Sequence, residues 1–363
     1  MKIKTVYMDI EEVLAQPVQQ HVYPKRPNIF FRMLLRAVSA PDLKATNFKY
    51  REFEMEKLGK KEPCLVLMNH SSFIDLKIAS TVFYPRPLNI VCTSDGFVGK
   101  ERLMRSLGCI PTRKFVTDTQ LVRDMMFALK KLKSSILMYP EASYTFDGTA
   151  TPLPAGLGKC VKLMGVSVVM IRTYGAFARD PLYNGLRLRK VDVSADISYI
   201  LSPEDIRTKT AEDINGILYE QFSFDNFKWQ QENNVKISEP FRAEGLNRVL
   251  YKCPHCGAEG SMESGGADIL CNACGKGYTL TEYGFMEAKE GKTEFPHIPD
   301  WYAWERDCVR QEILKGSYKL DVPVDIYMMV NTRKVYGIGE GRLTHGENGF
   351  RLTGCNGKLD YHQ

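Results

Sequence analysis

The chain reads as an α/β protein, a mixed sheet with covering helices, followed by a cysteine-paired segment and a small C-terminal β-rich domain. Three observations predict this. Between residues 60 and 200, short apolar runs alternate with stretches of helical periodicity. Between 251 and 286, four cysteines fall into two Cys-x-x-Cys pairs. Beyond 317 the pattern turns to strands separated by polar turns.

Taken in order, residues 1–60 form an N-terminal helical segment. Within it NIFFRMLLRAV (28–38) is apolar except for Arg32 and Arg36. Those two share one helical face, so this is a candidate membrane-interfacial helix with its arginines towards anionic headgroups. The α/β domain spans 61–222. Its strand candidates are CLVLM (64–68), LNIVCT (88–93), LGCIPT (107–112), SILMYP (135–140), VSVVMI (166–171) and VDVSADI (191–197). LVRDMMFALKKLK (121–133) repeats apolar residues at helical spacing, and a helical stretch at 203–222 closes the domain. A polar connector (223–248) leads to the paired cysteines (249–286). Residues 287–363 supply a helix near 299–316 and then the strands VDIYMMV, KVYGIGEGRL and GFRLTG. Strand pattern runs almost to Gln363, as expected of a shortened chain or of a small domain that ends there.

The 363 residues are enough for two or three domains. A hydrophobic content of 44% with 25% charged residues is that of a globular protein and excludes a disordered one. The net charge of +6 suits anionic lipid or phosphorylated substrates but is too weak to argue for nucleic acid. Met1–Leu14 carries acidic residues inside its apolar stretch, so no signal peptide is expected. No run reaches the roughly 18 apolar residues of a membrane span. Ten cysteines without an export signal point to a reducing, cytoplasmic setting. Cys64, Cys109 and Cys160 sit among apolar residues and read as inert core positions.

Polar groups follow the ends of three strand candidates: Asn69-His70, Arg113-Lys114 and Glu141. In an open α/β sheet such ends converge on one cleft. In NHSSFID, His70 and Asp75 lie five apart, so on one helix they would not meet. They meet only if His70 occupies the turn and Asp75 the first helical turn. The competing reading makes Ser72-x-x-Asp75 a capping box and nothing more.

Four blocks in order resemble the glycerolipid acyltransferases, the 1-acyl-sn-glycerol-3-phosphate acyltransferase family. NHSSFID resembles its His-x4-Asp block, GCIPTRK its second block, YPEAS (139–143) its third and VSVVMIRTYGA its fourth, apolar block. The resemblance covers residues 60–200. It implies a glycerolipid acyltransferase-like fold and transfer of a fatty acyl group from acyl-CoA or acyl-carrier protein to a lysophospholipid hydroxyl at a membrane surface. Lysophosphatidate is the default acceptor and another amphiphilic alcohol the alternative. It also implies His70 as base, Asp75 as its orienter, Arg113 assisted by Lys114 on the acceptor phosphate, and Glu141 as a binding or positioning carboxylate. Ser71 and Ser72 then serve as cap or lining, with no covalent acyl-enzyme. The third block usually reads Phe-Pro-Glu-Gly-Thr followed by Arg. Here Ser143 can replace the Thr hydroxyl, but Tyr144 cannot replace an Arg. The fourth block lacks its usual Pro, and Arg172 at the strand end is a candidate for the missing charge.

Cys253, Cys256, Cys271 and Cys274 have the spacing C-x2-C-x14-C-x2-C, each pair followed directly by Gly. Two such knuckles complete a tetrahedral thiolate site, so a structural zinc ribbon is expected. His255 lies between two ligands and is not one itself. The ribbon supplies the rival reading, a binding or scaffold module, but its acidic residues make no phosphate-tracking patch for nucleic acid. Oligomeric state is not legible.

Overall fold

The structure is a computed structural model in which residues 5–113 and 118–363 are described. The first strand, β1 (Thr5–Tyr7), is followed by a short helix, Ile10–Leu14. The central sheet then takes β2 (Lys49–Phe53), β3 (Leu65–Met68), β4 (Leu88–Thr93), β5 (Cys109–Thr112), β6 (Ser135–Met138), β7 (Val168–Tyr174) and β8 (Ser194–Leu201). Its order is β2-β8-β7-β3-β6-β4-β5. Strands β3 to β7 run parallel, and β8 reverses against β7 and carries the edge strand β2 with it, so the sheet is mixed.

Both faces are covered, which is why the strands read as unbroken apolar runs rather than alternating ones. Val66, Met68, Val169 and Ile171 pack with Leu43 of helix Ile29–Ala45 and with Ile78 and Ala79 of helix Asp75–Val82. The intervening side chains Leu65, Leu67, Val168 and Met170 face the other way. They meet helix Thr119–Lys130 through Met125 and Leu129, helix Leu157–Met164 through Val161, and helix Ala211–Phe222 through Ile214 and Leu218. The helical stretch 203–222 is two helices, Pro203–Thr208 and Ala211–Phe222, each opened by its own capping box at Ser202 and Thr210.

Helix Ile29–Ala45 starts at the Asn28 cap as its apolar pattern predicts, but its faces are arranged differently from the expectation. Arg32 turns inward and donates to the Pro85 carbonyl. Arg36 rests on the Tyr84 ring, 4.6 Å from its centroid. The side turned to solvent is apolar: Phe30, Met33, Leu34 and Val38 are exposed. The domain surface at Tyr84–Pro85 offers a carbonyl and an aromatic face, and the guanidinium groups take both.

The cysteine-paired segment is a four-stranded sheet of β9 (Met262–Gly265), β10 (Asp268–Cys271), β11 (Gly277–Leu280) and β12 (Met286–Ala288). Its core is shared with its neighbours: Tyr278 and Leu280 cluster with Phe177 and Tyr183 of the α/β domain, Phe227 of the connector and Trp301 of the helix Ile298–Leu314. The last sheet holds β13 (Leu320–Met328), β14 (Val335–Gly346), β15 (Gly349–Gly354) and β16 (Leu359–His362). The segment expected to be helical begins elsewhere in the molecule. Strand β1 pairs in parallel with β14, and Ile10 and Val13 pack on Ile326, Tyr336 and Ile338. The edge strand β2, every residue exposed, also falls in that segment. Its sequence KYREF carries too little apolar pattern to announce a strand.

Candidate active site

Strand β3 ends at Met68, and the chain turns through His70, Ser71 and Ser72 before helix Asp75–Val82 begins. His70 sits in the turn and Asp75 is the first helical residue. The His70 Nδ1 lies 3.1 Å from Asp75 Oδ2. Asp75 is fully buried, and the same oxygen accepts from the backbone N–H groups of Ser71 at 2.8 Å and Ser72 at 3.0 Å. Asp75 thus caps its own turn and holds the imidazole at once. With Nδ1 bonded to a carboxylate, Nε2 is the ring nitrogen left to exchange a proton. The His70 side chain keeps 22% of its exposure.

Two tyrosines enclose that ring. Tyr139 stacks on it with centroids 4.1 Å apart, and Tyr144 leans against it at 4.2 Å. Burial, with the nearby Asp75 carboxylate, pushes both phenols up, Tyr144 to about 12, so they stay neutral. Tyr139 was not singled out from the sequence; its signal was an aromatic residue beside Pro140-Glu141.

Because β6 is the neighbour of β3, Glu141 reaches the same turn. Its Oε2 accepts from His70 N at 2.7 Å and its Oε1 from Thr151 N at 2.8 Å. Burial raises this carboxyl to about 7 against the pull of those two N–H groups. Glu141 therefore ties the catalytic turn to the following loop, with each carboxylate oxygen engaged by a backbone N–H group. Next to it Ala142 adopts a left-handed φ of 60°. Ser143 is half-buried and makes no hydrogen bond among the described residues.

The cations divide differently. Arg113 follows β5, at the same end of the sheet but three strands from β3, about 14 Å away at the usual strand spacing. It is 67% exposed, with its Nε 3.7 Å from Asp118 Oδ2. Lys114 lies outside the described residues. Arg172 shares the face of β7 that packs on helix Ala211–Phe222, and its guanidinium donates to the Gln221 and Glu220 carbonyls at that helix's C-terminus. It is a cap there, not a group aimed at His70. Sequence reasoning missed Arg179 and Asp180, in the segment after β7. Arg179 is buried, 3.2 Å from Asp180 and 3.7 Å from Asp42, and Lys77 also pairs with Asp42. This network ties helices Ile29–Ala45 and Asp75–Val82 to the segment after β7. The helix Ala176–Arg179 that carries this cation is a single turn, too short for its periodicity to be read from the sequence, so only the folded chain reveals it.

At the ribbon, the Sγ atoms of Cys253, Cys256, Cys271 and Cys274 all lie within 4.8 Å of one another. The Cys253–Cys274 and Cys256–Cys271 separations are both 3.8 Å. A tetrahedron with metal–sulfur bonds of about 2.3 Å has edges of about 3.8 Å, so the cage fits a metal ion. His255 turns away to Glu294, 3.2 Å from its carboxylate.

Known proteins bear on the site as follows. The family model described as Acyltransferase matches residues 50–173. Among solved structures, the 1-acyl-sn-glycerophosphate (LPA) acyltransferase PlsC from Thermotoga maritima is similar with a TM-score of 0.43 and 14% identity. That match covers 53% of this chain and 76% of that chain. Comparison with curated proteins finds no match. The residues that the Acyltransferase model matches include β3, β6, the His70 turn and the start of the Asp75 helix, so the resemblance falls on the strands and the turn that build the site.

Proposed function

We propose that the protein transfers a fatty acyl group from an acyl-CoA or acyl-carrier-protein thioester to the hydroxyl of a lysophospholipid, with lysophosphatidate as the default acceptor. The observation that carries this is the His70–Asp75 contact on a fully buried, doubly N–H-bonded carboxylate. The acceptor hydroxyl attacks the thioester carbonyl while His70 Nε2 takes its proton. The tetrahedral intermediate collapses, the carbon–sulfur bond breaks, and the leaving thiolate recovers the proton from the imidazolium. Asp75 stabilises that imidazolium and fixes its tautomer. Arg113 is the phosphate contact for an acceptor lying along the strand ends.

A second acceptor, a neutral amphiphilic alcohol, is favoured by one observation: the position beside the imidazole is filled by the neutral Tyr144 phenol, not by a cation. The membrane reading is supported by exposed Phe30 and Val38 on helix Ile29–Ala45 and by exposed Phe73 three residues after His70. No helix among the described residues is long and apolar enough to cross a membrane. The protein then works as a peripheral enzyme on the cytoplasmic face. The four-cysteine cage holds a structural zinc, since four protein ligands leave no open position for chemistry.

The test is thiol release from a long-chain acyl-CoA in the presence of lysophosphatidate on vesicles. Acceptor-dependent release is expected to fall at least 10²–10⁴-fold in His70→Ala. Release that survives the substitution removes His70 from the mechanism. Release with a neutral long-chain alcohol but not with lysophosphatidate selects the second acceptor.

A further inference from the structure

Beside the apolar side of helix Ile29–Ala45 lies a cavity of about 490 Å³, lined by Arg36, Lys44, Lys49 and Thr81 over the apolar Leu43 and Phe48. It sits between that helix, helix Asp75–Val82 and the start of β2. Thr81 is six residues along its helix from Asp75, about 9 Å of rise, so the cavity is separate from the His70 centre. None of the three cations has a carboxylate partner among the described residues, unlike Lys77 and Arg51, which lie on the same helix as Thr81 and the same strand as Lys49. Asn47, at the rim, donates to Asp192 at 2.9 Å. The Thr81 hydroxyl oxygen is buried without a hydrogen-bond partner. A buried hydroxyl left unpaired is costly, so this one is suited to a ligand that supplies an acceptor.

We propose that this cavity binds the phosphate of an anionic membrane lipid, holding its headgroup while the exposed residues Phe30, Met33, Leu34 and Val38 rest among the acyl chains. Charge and position argue for a lipid over a soluble anion. The three cations, none of them with a carboxylate partner, open onto the flank of the helix whose outer side is apolar, and a phosphate tethered to acyl chains satisfies both surfaces at once. The inference rests on the membrane-surface reading above and adds a lipid preference to it, with a site distinct from the acceptor's.

The experiment is co-sedimentation of the full chain with vesicles of phosphatidylcholine alone or doped with phosphatidylglycerol, at fixed ionic strength. Wild type is expected to prefer the doped vesicles by roughly a hundredfold, at about tenfold per 1.4 kcal/mol and about 1 kcal/mol per cation. Arg36→Gln/Lys44→Gln/Lys49→Gln should lose that preference and keep its binding to neutral vesicles. Met33→Ser/Val38→Ser should lose binding to both. Thr81→Val changes no charge, and a several-fold loss of preference is expected from it. An unchanged preference in Thr81→Val means diffuse surface charge and overturns the site, as does a preference that survives the triple substitution. Wild-type binding to neither vesicle overturns the membrane reading itself. Inorganic phosphate protecting wild type but not the triple variant against thermal unfolding, without any vesicle preference, would make this a soluble-anion site and overturn the lipid assignment.

Discussion

At the scale of single residues, the catalytic turn is a small hydrogen-bonded unit built around two carboxylates. Asp75 accepts from Ser71, Ser72 and His70 on one oxygen. Glu141 is raised to about 7 from 4.5 because desolvation outweighs its two backbone donors. A carboxyl raised on folding binds its proton more tightly in the native state. Its stabilisation is therefore complete below pH 4.5 and is lost as pH rises towards 7. Urea titrations from pH 4.5 to 7.5 should show wild type losing roughly 3 kcal/mol relative to Glu141→Gln. Parallel pH profiles for the two proteins would refute that. The next residue stores strain: a left-handed φ suits glycine, and Ala142 occupies it. Ala142→Gly should stabilise the protein by about 1 kcal/mol in chemical denaturation, less the extra freedom glycine gains when unfolded. A loss of stability would mean that the Ala142 methyl packs usefully.

At the scale of elements, neighbouring strands decide what converges. The pairing of β3 with β6 brings Glu141 to His70, whereas β4 and β6 stand between β3 and β5 and keep Arg113 at the rim. Arg172 shows how the side of a strand decides a role. It shares a face with Val168 and Met170, so it meets the C-terminus of helix Ala211–Phe222 and caps the carbonyls there. A cation at that end of a helix is worth about 1 kcal/mol. Arg172→Ala should cost about that much in unfolding free energy and leave the acceptor KM unchanged. Unaltered stability with a raised KM for phosphate-bearing acceptors alone would return Arg172 to substrate binding.

At the scale of the whole molecule, the three parts are stitched together rather than strung out. The ribbon shares its core with Phe177, Tyr183 and Phe227. The C-terminal sheet takes β1 from the other end of the chain and docks on the α/β domain, with Thr332 Oγ1 donating to Glu101 Oε2 at 2.6 Å. The thiolate cage therefore supports more than its own loops. Bound metal contributes on the order of 10 kcal/mol to folding in sites of this kind. Purified protein should carry one equivalent of zinc, and chelation or Cys256→Ser should lower the thermal midpoint and acyl transfer together. Metal-free protein with unchanged unfolding and activity would sink the structural assignment.

What the sequence determined by itself is local. The five-residue spacing of His70 and Asp75 across a strand end and a helix start leaves one way for them to meet, because turn and helix geometry act over a few residues. The Cys-x-x-Cys-Gly knuckles are local in the same sense, and the alternation of apolar runs with helical periods was enough for the α/β class. Tertiary structure decided the rest. Strands buried on both faces carry no alternation, so the direction of Arg172 was hidden until β7 met its helix. Strand order is set by packing between distant segments, so the distances of Glu141 and Arg113 from His70 had no signature in spacing. The pairing of β1 with β14 joins residues more than 300 positions apart, and no short-range pattern encodes such a contact. Aromatic enclosure of the imidazole by Tyr139 and Tyr144 is of that kind too: loops on two strand ends meet only because the sheet places them side by side.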